Sequence, residues 1–378
     1  MTDAADRLRD FLTGLVEEGV VPGGVAWVGR ASEETPCFHE AFGRASVEPT
    51  DEPATRDTVY DCASLTKPLV TASLCLVLRE RGELDFDAPA SRWLPELVGE
   101  TGVRVPTVAE LLTHSAGLPA WEPLYVRPGG GDLAAWARWL GEHRNEPGRR
   151  AVYGCPAFLL LGLLLERLTG HALSELATSE LLSKRDDVFF TLPDDLVGRA
   201  APTERGSEVE RTMAAKQAPR EAAGHDGFRD ALIRGRTHDG NAHALGGAAG
   251  NAGLFGTADG IAALGRRFLG PGELLPAPAL AELSVDQVAA AARGDDSEQR
   301  SWGFQLARSL NSPAGPALSE RAFGHAGFTG TSLLLDPECD GVFVLLTNRI
   351  HPEFRERAFH ADRRRFHELA RPLIEATR

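Results

Sequence analysis

Thr58-Val59-Tyr60-Asp61-Cys62-Ala63-Ser64-Leu65-Thr66-Lys67-Pro68 stands at the head of an apolar stretch with helical spacing. A helix turns once every ~3.6 residues, so Ser64 and Lys67, at i and i+3, share one face. A hydroxyl and an amine placed this way can meet, and a neutral amine can take the hydroxyl proton. A helix N-terminus adds free N–H groups and a dipole that favour negative charge developing beside it. The stretch therefore offers a serine nucleophile with its base one turn away. Ser64-Leu65-Thr66-Lys67 also reads as an N-cap followed by a solvated lysine, so more distant segments have to decide.

Outward from this point, 66–81 reads as one apolar helix closed by Gly82, with Pro68 in its first turn where a missing N–H costs least. Upstream, Leu8, Phe11, Leu12, Leu15 and Val16 recur at helical spacing. Residues 23–29 read as a buried strand and 37–43 as its hairpin partner. Short helices are expected at 107–114, 133–143 and 156–168, the last stopped by Gly170. Residues 185–245 read as loops with short helices. A further helix is expected at 258–269, then a charged loop at 293–297. Strands follow at 302–306, 331–336 and 341–348, and an amphipathic helix at 352–377.

Strands thus gather at both ends of the chain and helices in the middle. The expected fold class is α/β (α+β): one antiparallel sheet built from both termini, flanked by helices, with an inserted mainly helical lobe. The expected organisation is a single catalytic domain of two lobes, 1–60 with 245–378 and 61–244, and a site in the cleft between them.

The chain has 378 residues, enough for a large core. Its net charge of −14 argues against a broad grip on nucleic acid or an anionic membrane. Met1-Thr2-Asp3-Ala4-Ala5-Asp6-Arg7 is acidic and polar, unlike an export signal. The longest apolar run, 157–165, is too short to span a bilayer. A soluble cytoplasmic protein is expected. Five widely spaced cysteines without a C-x-x-C argue against a disulfide framework or a zinc site.

Two further segments carry chemistry. Ala151-Val152-Tyr153-Gly154-Cys155-Pro156 holds one of only three tyrosines. Tyr153 reads either as an amphipathic residue at the core edge or, beside a lysine, as a proton relay. Phe323-Gly324-His325-Ala326-Gly327-Phe328-Thr329-Gly330-Thr331-Ser332 holds glycines that admit a ligand close to a strand edge.

Ser64-Leu65-Thr66-Lys67, the Tyr153 triplet and His325-Ala326-Gly327 together resemble the serine β-lactamase, penicillin-binding protein and D-aminopeptidase superfamily. The likeness is greatest to the class C β-lactamase-like branch, which includes esterases. It extends along nearly the whole chain. Leu111-Leu112-Thr113-His114-Ser115-Ala116-Gly117-Leu118-Pro119 and Gly253-Leu254-Phe255-Gly256-Thr257 are familiar accessory stretches of that branch. A finer likeness, in His238-Asp239-Gly240-Asn241-Ala242 and Leu346-Thr347-Asn348-Arg349-Ile350-His351-Pro352, is to amidases that release peptide from muropeptides.

The resemblance implies that Ser64 forms an acyl-enzyme while Lys67 and Tyr153 share the general-base work. It implies an oxyanion hole from the backbone N–H groups of Ser64 and Phe328. It puts His325 where many relatives have lysine, and substrate contacts at Cys155, Ala326, Gly327 and Thr329. It implies a small-molecule ester, amide or muropeptide as partner, and no cofactor or metal.

Two residues depart from the pattern. The triplet usually ends in Asn or Asp, and here ends in Cys155, whose thiol is a poor donor and acceptor. Cys155 reads as a pocket wall or as a reactive thiol near Lys67. His325 offers less fixed positive charge than lysine, so β-lactams are expected to be poor substrates.

Rival readings are weaker. An α/β-hydrolase needs a G-x-S-x-G elbow, and none is present. His238, Asp239 and His243 lack the spacing of a helical metal site. The serious rival is a non-catalytic binding protein that kept the fold, and Cys155 is its best support. Amidase and carboxylesterase pass through the same acyl intermediate, so residues alone do not separate them.

Overall fold

The structure, a computed structural model, describes residues 2–182, 187–270, 272, 274–293 and 298–376. The expected charged loop lies outside these from Gly294 to Ser297, as does Thr377.

Ten strands are defined among the described residues: β1 (Gly23–Arg30), β2 (Phe38–Ser46), β3 (Glu52–Pro53), β4 (Tyr60–Asp61), β5 (Val188–Phe190), β6 (Leu254–Gly256), β7 (Gln305–Leu306), β8 (Phe323–Ala326), β9 (Ser332–Asp336) and β10 (Gly341–Thr347). Seven form one antiparallel sheet in the order β3-β2-β1-β10-β9-β8-β7. N-terminal β1 lies beside C-terminal β10, with Trp27 opposite Val344. The two ends of the chain do build one sheet.

Both faces of that sheet are covered, and every residue of β1 is buried. Val25 and Trp27 point to a core shared with Ile261 of helix Ala258–Arg266. Ala26 and Val28 point to the other core, with Leu8 and Leu12 of helix Thr2–Glu17 and Phe366 of helix His360–Glu375. A strand covered on two sides reads as a continuous apolar run rather than an alternation.

β4, β6 and β5 form a small second sheet. β5 falls where only loops and short helices were expected. It is three residues long, and Asp187 and Thr191 on either side hold positive φ angles of 51° and 69°. So short a run carries no periodicity to detect.

The C-terminal helix begins at His360 rather than at 352. Residues 352–359 instead form a rim, with Phe354 stacked 5.4 Å from Phe328. The 302–306 stretch pairs only at Gln305–Leu306, because Gly303 turns the chain at φ 79°.

The helix expected at 66–81 changes pitch along its length. A tight turn, Ala63–Leu65, leads into a wide π-helical segment, Lys67–Ala72, and then regular α-helix, Ser73–Glu80. Pro68 has no N–H to give to the ladder, and the Ser73 hydroxyl donates back to the Pro68 carbonyl at 2.8 Å.

Candidate active site

Ser64 sits in the tight turn that follows β4, and Ala63 before it holds a positive φ of 46°. Neighbouring segments over-determine this turn, as a strained backbone requires. The Asp61 carboxylate accepts the Ala63 and His238 N–H groups, each at 2.8 Å. Cys62 N donates to the Leu254 carbonyl at 2.8 Å, and Leu254 N donates to Thr66 Oγ1 at 3.1 Å. The Gly253 to Thr257 stretch is thus the clamp on the serine turn.

Lys67 Nζ lies 3.0 Å from Ser64 Oγ. It donates to the Asn251 carbonyl at 3.1 Å, lies 3.5 Å from Cys155 Sγ, and stands 5.4 Å from the centre of the Tyr153 ring. Lys67 is fully buried. Burial works against its charge, but electrostatic attraction toward Cys155, Tyr153 and Asp239 outweighs that and holds its pKa above the usual value. Burial pushes the Cys155 thiol up, with Lys67 pulling the other way.

The Tyr153 triplet is placed by the loop after residue 118. Cys155 N donates to the Ala120 carbonyl at 3.0 Å. A Cβ on Gly154 would come within 2.7 Å of that same oxygen. His114 supports the tyrosine from behind: its Nδ1 accepts the Gly154 N–H at 3.2 Å, and its ring lies 4.9 Å from that of Tyr153. Burial, then the charges of Arg300 and Lys67, hold His114 well below the ordinary histidine pKa, so it is neutral. His114 is thus a brace for Tyr153.

β8 closes the site. His325 pairs with Leu333 of β9. Its Nδ1–H donates to the Ala326 carbonyl at 2.9 Å, which leaves Nε2 with the lone pair. Burial first, then Arg300 and Lys67, depress its pKa strongly, so His325 is a neutral group. Gly327 lies so close to the serine turn that a Cβ would sit 2.7 Å from the Cys62 carbonyl oxygen. Among the described residues, none accepts the Phe328 N–H.

These elements surround a cleft of about 570 Å³ lined by Ser64, Tyr153, Cys155, His325 and the residues from Ala326 to Phe328. Thr329, expected as a substrate contact, is placed elsewhere. It is buried, and its hydroxyl donates to the Asp61 carbonyl at 2.7 Å, bracing the serine turn. Arg300 also lines the cleft, its guanidinium carbon 4.6 Å from the centre of the Tyr153 ring. No motif marked this arginine.

Residues 8–365 match the family described as Beta-lactamase. This chain belongs to the beta-lactamase family. Membership makes it a serine hydrolase. Among curated relatives, it is 27% identical over 332 residues to an N-acetylmuramyl-L-alanine amidase of Bacillus subtilis (strain 168), covering 81% of this chain and 72% of that protein. Among solved structures, EstCE1, a hydrolase with promiscuous acyltransferase activity, superposes with a TM-score of 0.73 at 22% identity, covering 99% of this chain and 98% of that one. A penicillin-binding protein homologue from Caulobacter crescentus also reaches 0.73, at 19% identity and 98% coverage of both chains. These superpositions bear out the expected fold, an antiparallel sheet with flanking helices.

Proposed function

We propose that this beta-lactamase-family protein is a muropeptide amidase, and that its hydrolysis runs through an acyl-enzyme on Ser64. One observation carries the assignment of the nucleophile: Lys67 Nζ lies 3.0 Å from Ser64 Oγ at the floor of an open cleft. The pairing is of the class C type, built on the S-x-x-K spacing. Ser64 Oγ attacks the carbonyl carbon; Lys67, charged in this setting, donates to Ser64 Oγ and steadies it, and the serine proton is relayed through Tyr153 Oη to the leaving group. The backbone N–H groups of Ser64 and Phe328 receive the developing oxyanion. Ala326, Gly327 and Cys155 form the walls against which the substrate lies.

The amide-bearing muropeptide is favoured by the curated amidase, whose likeness covers 81% of this chain. The reading also takes the molecule as two lobes, 1–60 with 245–378 and 61–244, that meet at the cleft. The small sheet ties them, since β6 of one pairs with β5 of the other. A cytoplasmic setting suits the free thiols of Cys62, Cys75, Cys155 and Cys339. No single described helix is long and apolar enough to cross a membrane.

The experiment is covalent labelling with a fluorophosphonate, followed by a panel of MurNAc-peptides, D-amino-acid peptides, short-chain esters and nitrocefin. Labelling that Ser64→Ala abolishes, with MurNAc-peptides turned over best, is the expected result. Absence of labelling in the wild type identifies a binding protein instead. Turnover confined to esters identifies a carboxylesterase.

A further inference from the structure

The acyl-transfer steps give no task to His238, although it lines the cleft and heads the stretch His238-Asp239-Gly240-Asn241-Ala242. Its ring lies against that of Phe328, with centroids 5.6 Å apart and planes inclined by 24°. Phe354 stacks on Phe328 as well, at 5.4 Å and 17°. Phe328 is 39% exposed in the cleft, so burial alone does not fix its ring. Contact with these two rings does.

His238 is itself anchored through side chain and backbone. Its Nε2 stands 3.2 Å from Glu204 Oε1, and both side chains are buried. Burial works against charge on the imidazole, but the Glu204 carboxylate above all outweighs it and holds the pKa above the ordinary histidine value. A cationic ring against an aromatic face strengthens the stack. The His238 backbone N–H donates to Asp61 Oδ2 at 2.8 Å, while Asp61 Oδ1 accepts the Ala63 N–H, next to the nucleophile, at 2.8 Å. The Asp61 carbonyl accepts the hydroxyl of Thr329, the neighbour of Phe328, at 2.7 Å. These contacts form a closed circuit from the serine turn through Asp61, His238, Phe328 and Thr329 back to Asp61.

We propose that His238, anchored by Glu204, is a positioning residue for the oxyanion hole: its ring fixes Phe328, and through it the separation between the N–H groups of Phe328 and Ser64. The proposal rests on the reading of Ser64 as nucleophile and of these two N–H groups as oxyanion donors. Such a hole acts only when its donors are held in place before the charge develops. Here the donors come from segments far apart in the chain, so no local geometry sets their spacing. The Asp61 carboxylate holds one side of the hole, and the His238 ring carries that constraint across to the other.

The test uses the full chain with p-nitrophenyl benzoate and its thiono counterpart, in which C=S replaces C=O. Sulfur is larger and accepts hydrogen bonds more weakly, so a hole spaced for oxygen favours the ester. The readout is kcat/KM for the ester divided by that for the thionoester, formed within each variant so that a general loss of folded enzyme cancels. His238→Gln keeps a donor for Glu204 but removes the ring, and the ratio should fall about 10-fold. His238→Phe combined with Glu204→Gln restores a ring without charge, and should bring the ratio back to within about threefold of the wild type. Phe354→Leu strips the second ring from Phe328 and should also lower the ratio, which decides the matter if the His238 variants do not fold. A ratio that His238→Gln leaves unchanged, that the restored ring does not recover, or that Phe354→Leu does not lower overturns the positioning role. A wild type with no preference for the ester overturns the reading of the oxyanion donors instead. Ester hydrolysis that persists in Ser64→Ala overturns the reading of the nucleophile, and the positioning role with it.

Discussion

Lys67 Nζ stands 3.5 Å from the Cys155 thiol, at the position where related triplets carry an amide side chain. A thiol neither grips a substrate carbonyl nor orients an ammonium as an amide does. Cys155→Asn should therefore shift substrate preference, changing the ratio of amide to ester kcat/KM by about 10-fold, a tenfold change being ~1.4 kcal/mol. Identical kinetic constants across the panel would show that Cys155 is an inert wall.

His325 is neutral in its buried setting and presents a lone pair from Nε2. It gives no fixed positive charge to a β-lactam carboxylate at this strand. Nitrocefin should be hydrolysed with kcat/KM well below ~10⁶ M⁻¹s⁻¹. Steady-state rates at or above that value would contradict the reading of this residue.

His114 touches the reaction only through Tyr153, as a positioning residue. His114→Phe keeps an aromatic ring against Tyr153 and Phe158 but removes the acceptor of the Gly154 N–H. Leaving that buried donor unmatched should cost about 1–3 kcal/mol of stability. We expect kcat to fall about 10-fold with KM little changed, the pattern of a misplaced proton relay. A loss confined to KM would point to substrate binding instead.

Gly327 has no room for a side chain. An added Cβ would stand 2.1 Å from Thr331 Oγ1 and 2.7 Å from the Cys62 carbonyl, so Gly327→Ala must push β8 away from the serine turn. If the Phe328 N–H is one donor of the oxyanion hole, kcat should drop about 100-fold. Gly14→Ala is the control, since its Cβ meets open space within helix Thr2–Glu17. Its activity should equal that of the wild type. Equal activity for Gly327→Ala as well would remove Phe328 from the oxyanion hole.

Glu210 lines the cleft and is pushed by burial to a pKa of about 7, against an ordinary value of 4.5. The folded state thus holds a proton that the unfolded chain releases earlier. Its contribution to stability is fully present below about pH 4.5 and is lost as the pH rises to 7, a fall of about 3 kcal/mol. Glu210→Gln keeps the oxygen that accepts the Gly240 N–H and carries no titrating proton. Denaturant unfolding at pH 5 and pH 8 should show the variant gaining on the wild type at the higher pH. A constant difference between the two pH values would show that Glu210 is ionised throughout.

Several of these residues were legible from spacing alone. Ser64 and Lys67 lie on one turn of chain, so local geometry brought them together whatever the rest of the fold did. The strands at both ends announced the sheet because β1 and β10 are long and apolar. Tyr153 and the His325 segment were legible only through a family pattern, since no local rule links residues so far apart in the chain.

The order of residues in this chain determined that a hydroxyl and an amine would share a helix face, that the termini would supply one sheet, and that Gly327 would lack a side chain. Tertiary packing decided the charge states and the partners. Lys67 is buried because helix Pro156–Thr169 and the 250–254 segment close over it. His325 is neutral because β8 is enclosed beside Arg300 and Lys67. Thr329 faces Asp61 rather than substrate, and one arginine among many stands over Tyr153 with donors to spare. Spacing along a chain fixes which groups can meet within a turn. Solvation and long-range contacts, which set pKa values and leave a donor open, exist only once distant segments have enclosed a common space.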